Sequence, residues 1–118
     1  MAKIKFKAKI DSNDEKYLVE GKGIYKDNKI IYQEKDIQVT IFLLDNKIEM
    51  IRSCKDYKIN LIFEKDRITE STYQIFGGEK HFSLETKTQE LIINDKKIKI
   101  DYVLEDNNFS YVLEMEKI

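Results

Sequence analysis

Few side chains in this 118-residue sequence could do chemistry, and most of those argue against it. The single histidine, His81, rules out a histidine-rich metal site, and Cys54 is the one thiolate that could assist it. Together they would make a nucleophile and its base. A cysteine nucleophile needs that base within hydrogen-bond reach, with donors waiting for the oxyanion, and the spacing of this chain encodes neither. Cys54 reads more simply as a small buried side chain. Acidic residues are plentiful, 22 Asp plus Glu, but acid–base catalysis takes two carboxyls of separated pKa in one cleft. Here most of them alternate with apolar residues and fall on wet faces.

Two charged residues break that pattern. Glu34 continues the apolar face of Ile30 and Tyr32, and Arg52 continues that of Ile48 and Met50. A charge turned inward must be paired or hydrogen-bonded to offset its desolvation. Either Glu34 and Arg52 form a buried ion pair, or Arg52 meets an anionic ligand. The candidate ligand-binding set is therefore Arg52, Glu34, Tyr32, Met50, Phe63 and Tyr102, with no catalytic residue, metal or cofactor expected.

The elements that must position these residues alternate with period two, which marks strands with one wet face. Lys3 to Ile10 is the plainest case, with Ile4, Phe6, Ala8 and Ile10 opposed by four lysines. Lysine on a wet strand face also discourages edge pairing, which accounts for that row without phosphate binding. Similar segments follow at 16–26, 30–35, 37–45, 47–54 and from Tyr57 onward, separated by turns such as the repeated Asp-Asn-Lys at 27–29 and 45–47. The stretch from Leu61 to Thr86 surrounds Gly77-Gly78, the sole Gly-Gly pair, and reads as a β-hairpin. Gly21 and Gly23, two apart, predict a sharp bend or a close approach by a strand or ring, with a barrel corner as the expected use. A change of apolar phase after Thr88 predicts a bulge near Thr88–Glu90.

About ten short-looped strands and no helical period predict an all-β fold, an antiparallel up-and-down meander. It could fold over as a sandwich; closure into a barrel of about 8–10 strands is preferred because it removes exposed edges. Inward residues are expected to be Ile4, Phe6, Ile41, Leu43, Ile59, Leu61, Phe82, Leu84, Ile100, Tyr102, Tyr111 and Leu113.

Length fits one domain over residues 1–118. Charge is high but balanced, 21 Lys plus Arg against 22 Asp plus Glu for a net −1, which gives no electrostatic case for nucleic acid or an anionic membrane. The 13 aromatics, seven Tyr and six Phe, fall mostly on the core face instead of lining a basic groove. One cysteine excludes an internal disulfide and fits a reducing compartment, so a cytoplasmic protein is expected, monomeric or homodimeric. No signal peptide or membrane span is expected.

The segments VEGKGIYKDNKIIYQEKD, IRSC and LIFEKDRITESTYQIFGGEKHFSLET, in that order, resemble the uncharacterised bacterial YwiB-like family over nearly the whole chain. Where that family typically reads tyrosine, any residue, threonine, proline, aromatic, glycine, this chain keeps Tyr73, Phe76 and Gly77, while Gln74-Ile75 supplies neither threonine nor proline. The resemblance implies a calycin-like barrel, the shape of lipocalins, and a small cytoplasmic protein of low-GC bacteria, but no established activity. Two roles follow as expectations. One is a narrow, one-ended pocket for a small apolar or carboxylate-bearing ligand, lined by Tyr32, Met50, Leu61, Phe63, Tyr102 and Leu113. The other is a barrel filled by those same residues, whose surface binds a protein partner.

Overall fold

A computed structural model describes residues 2–13, 15–77 and 80–118. Ten strands run in order: β1 (Ala2–Ser12), β2 (Lys16–Lys26), β3 (Lys29–Glu34), β4 (Ile37–Leu44), β5 (Lys47–Ser53), β6 (Tyr57–Glu64), β7 (Ile68–Ile75), β8 (His81–Ile93), β9 (Lys97–Leu104) and β10 (Asn107–Lys117). Each pairs with the next, and β1 pairs with β10, so the meander closes as a barrel. The turns follow their chemistry. Asp27, Asn28, Asn46, Lys35 and Asp66 all take positive φ, a conformation that Asn and Asp tolerate better than most residues and that two-residue hairpins require. Gly77 does so in the β7–β8 connection (φ 87°), whereas Gly78 and Glu79 lie outside the described residues. The bulge appears between Thr88 and Glu90 as expected.

The lysines of β1 face outward, and acidic neighbours answer part of the row, although Lys5 also lies opposite Lys22. Lys5 lies opposite Glu116, and Lys7 lies opposite Glu114 and Glu20, with Lys7 Nζ 4.0 Å from Glu20.

Ile30, Val39, Ile41, Ile48, Phe63, Ile98, Ile100 and Leu113 are wholly inaccessible, so not even a water-sized void adjoins them. The residues expected to line a pocket are part of the same packing. Met50, Leu61, Phe63 and Leu113 are buried, and Tyr102 tilts against Phe63 with ring centroids 4.6 Å apart. Among the described residues the middle of the barrel is solid. Of the expected inward set, Leu43 and Ile59 pack on the core edge half-buried, and Leu84 is also only half-buried. Phe82 is corrected outright. It has inward parity but is 46% exposed, because β8 pairs with β9 only from Thr86 onward while β7 and β8 continue past it. The tip of that hairpin overruns its neighbours, so an inward side chain there finds no interior.

Among the described residues the ladder is interrupted at two seams. Between β2 and β3 it runs only from Ile24–Ile31 to Lys26–Lys29, leaving Lys16–Gly23 without ladder partners on that side among the described residues. Gly23 makes the crossing: a Cβ there would lie 2.7 Å from the Ile31 carbonyl oxygen and 3.1 Å from Tyr32 Cβ. Gly21 leaves room for the Phe6 ring, 3.2 Å from where its Cβ would be. Close approach is thus the role of both glycines. Between β6 and β7 the ladder covers Tyr57–Asn60 against Ile75–Thr72 and then gives way to side chains. Ile62 N–H donates to Ser71 Oγ (3.0 Å), Thr69 Oγ1 donates to the Ile62 carbonyl, and Ser71 Oγ lies 2.8 Å from Thr86 Oγ1. Among the described residues no helix is long and apolar enough to cross a membrane.

Candidate functional site

Pairing register places Tyr32, Val39, Arg52, Ile59, Tyr73 and Phe82 in one row across six strands, β3 to β8. Residues directly opposite in a ladder share a face, and each strand adds about 4.8 Å. The row therefore slopes from floor to rim. Tyr32 and Val39 are buried, the Arg52 side chain keeps 15% of its surface, Ile59 and Tyr73 are half-buried, and Phe82 is exposed. Tyr57 and Phe82 flank Tyr73, with ring centroids at 5.8 and 6.1 Å.

At the floor, the two charges that parity turned inward have found each other. Arg52 grips Glu34 with both ends of its fork: Nη2 donates to Oε1, and Nη1 to Oε2 at 3.3 Å. A planar guanidinium suits this two-point contact. Glu34 is completely buried and needs further donors. Tyr32 supplies one, its hydroxyl donating to Oε2 at 2.7 Å. Because that uses the only Tyr32 proton, the Tyr111 hydroxyl, 2.8 Å away, must be the donor to Tyr32. The chain Tyr111, Tyr32, Glu34, Arg52 crosses from β10 to β5 beneath the β2–β3 seam, and Phe6 braces Tyr32 with its ring centroid at 4.3 Å.

The electrostatics follow from burial. Tyr32 is held far above the ordinary phenol pKa, first by burial and then by Tyr111 and the Glu34 carboxylate. Burial does the same to Tyr111, and pushes Tyr102 up to about 12. Desolvation works against the Arg52 charge, but the hydrogen bonds and charge of Glu34 outweigh it and leave the guanidinium pKa raised. The guanidinium is therefore firmly ionised. Two of the five Arg52 N–H groups bind Glu34, so three remain for other acceptors.

Of the sequence-predicted residues, the structure brings Tyr32, Glu34 and Arg52 together, while Met50, Phe63 and Tyr102 lie in the packing below. Cys54 is half-buried at the end of β5, His81 is exposed opposite Gln74, and no hydrogen bond joins them among the described residues. Alternation turns Tyr111 inward but does not make it a member of the polar chain. Nor does it distinguish Tyr73 and Phe82 from other hairpin residues as the rim of this row. The missing signal is register, which only barrel closure supplies.

Comparison with known proteins agrees with the architecture. The ywiB protein from Bacillus subtilis has a crystal structure similar to this one, with TM-score 0.66 and 17% sequence identity, covering 98% of this chain and 90% of that one. At that identity the likeness concerns the fold alone. None of the curated proteins matches. The family model described as "Domain of unknown function (DUF1934)" matches residues 3–115, nearly the entire barrel, and this small all-β chain therefore belongs to the DUF1934 family.

Proposed function

We propose that the protein binds a small, mainly apolar, carboxylate-bearing molecule at the rim of the barrel, not in its middle. The observation that carries this is the row from Arg52 through Ile59 and Tyr73 to Phe82. It offers a cation at depth and apolar side chains of increasing exposure above it, so a carboxylate would point down and a hydrocarbon or aromatic body would leave along the β7–β8 hairpin. The carboxylate would use the free N–H groups of Arg52, a charge-assisted contact. Met50, Phe63 and Tyr102 then act as the packed support of the floor. This reading is of binding, not catalysis, and of a calycin-like barrel in the cytoplasm. The ten-strand up-and-down order supports the first, and the lone free thiol supports the second.

The solid middle favours a second reading, a filled barrel that recognises a protein through Ile75, Phe76 and Phe82, all exposed at the hairpin. Titration with a fluorescent fatty-acid analogue separates the two. Saturable binding is expected, weakened about tenfold by Phe82→Ala, a loss of the order of one buried aromatic contact. Replacing the pair together, Arg52→Met with Glu34→Leu, should keep the fold and abolish the preference for the acid over the matching alcohol. Absence of saturable binding by the wild type moves the conclusion to the protein-interaction reading.

A further inference from the structure

We propose that two copies of this chain associate by pairing β2 with β2 across a two-fold axis at Leu18, joining the two barrels through one continuous sheet. The proposal rests on the β2–β3 seam and is independent of the rim ligand. Lys16–Gly23 presents a strand edge that lacks ladder partners on the β3 side among the described residues, and unpaired strand edges are templates for further pairing. A cleft of about 350 Å³, bordered by Lys22, Gly23, Ile31, Tyr32 and Gln33, marks where the two strands part.

The outward residues of this edge specify the partner. They read Lys16, Leu18, Glu20, Lys22, and Leu18 is 53% exposed opposite Lys9 of β1. In an antiparallel pair centred on Leu18, Leu18 meets its own copy, and Lys16 faces Glu20 on both sides of the axis. Opposite charges directly across a ladder stabilise it and like charges oppose it. The neighbouring registers fail this test. An axis at Val19 sets Lys16 against Lys22 and Leu18 against Glu20; one at Glu20 places two glutamates face to face. Shifts by a single residue would turn outward side chains inward. An axis at Gly21 would also set Glu20 against Lys22, but it draws in Gly23 and Ile24, which already lie against Ile31 of β3. The register centred on Leu18 is therefore the self-complementary one that the free edge can use, and self-complementarity is what a two-fold interface requires.

The pattern can be broken and restored without touching the core. Light scattering and sedimentation across micromolar to millimolar protein should show a wild-type dimer. Lys16→Glu sets acid against acid on both sides of the axis, and Glu20→Lys sets base against base, so each variant should dimerise at least about tenfold more weakly. When the two variants are mixed, both acids of one copy lie opposite both bases of the other. Each side of the axis again carries one acid–base pair, and the mixture should dimerise like the wild type. That recovery cannot come from a variant that merely misfolds. A wild type that stays monomeric, whether its edge is empty or taken by an added extended peptide, overturns the proposal. So do single variants that dimerise as tightly as the wild type, or a mixture that does not recover.

Discussion

Among the described residues the barrel wall parts in two places, and the two seams are treated differently. Between β6 and β7 the missing ladder bonds are replaced: Ser71 and Thr69 reach the Ile62 main chain, and Thr86 ties Ser71 to β8. Between β2 and β3 nothing comparable closes the backbone of Lys16–Gly23 among the described residues. What lies behind this seam is the side-chain chain Tyr111–Tyr32–Glu34–Arg52, which ties β10 to β3 and β5 across the interior. The first seam is mended with neutral hydroxyls at the main chain and is structural. The second leaves main-chain groups free and concentrates charge behind them, so its stability and its availability to partners are separate matters.

If the difference between the seams is one of charge against neutral hydroxyls, breaking the charged one must cost more. Arg52→Ala would leave the Glu34 carboxylate, which has no exposed surface, without its cation, and should destabilise the barrel by about 3–5 kcal/mol in a denaturant titration. The double replacement Arg52→Met with Glu34→Leu removes both charges and should return most of that loss. A cost for Arg52→Ala below about 1 kcal/mol, typical of an exposed pair, would show that the cluster is not what ties β10, β3 and β5 together across the interior.

The same contrast explains what could be seen in the sequence. Period-two alternation and turn residues located nearly every strand, and the phase change after Thr88 located the bulge, since both are local consequences of a pleated chain. Parity alone also brought Glu34 and Arg52 inward. What alternation does not contain is how far each strand extends past its neighbours. Phe82 has the right parity and the wrong height, because β9 stops where β8 continues. Tyr111 is 79 residues from Tyr32, and their contact depends on closure of β1 onto β10. Both seams are likewise properties of pairs of strands, invisible in either one.

At the mended seam a smaller effect is expected. Ser71→Ala removes the acceptor of the Ile62 N–H and a partner of Thr86, and Ser71 is 1% exposed, so water cannot readily substitute. A loss of about 1–3 kcal/mol is expected, the penalty for leaving a buried donor unsatisfied. Hydrogen exchange locates it. The Ile62 amide should lose protection in the variant, while amides of Lys16–Lys22 pointing toward β3 should exchange quickly in the wild-type monomer. Protection of that second group at concentrations where the protein is monomeric would erase the distinction between the seams.

The smallest effect should come from the far end of the polar chain. Tyr111→Phe removes the donor to Tyr32 but leaves the Tyr32 proton on Glu34 and the Arg52 fork intact, so near neutral pH it should cost only about 1 kcal/mol, one net hydrogen bond. Its pH dependence distinguishes it from simple loss of packing. The Tyr111 pKa is raised in the folded protein, so above the unfolded value of about 10 the unfolded chain loses a proton that the folded chain keeps. Stability of the wild type therefore falls as pH rises beyond that point, and the phenylalanine variant lacks this contribution. The gap between the two proteins should narrow steadily above about pH 10 and then change sign. A gap that stays constant through that range would mean that the Tyr111 hydroxyl ionises as freely in the barrel as in the unfolded chain, and that the cluster beneath the open seam is reached by solvent.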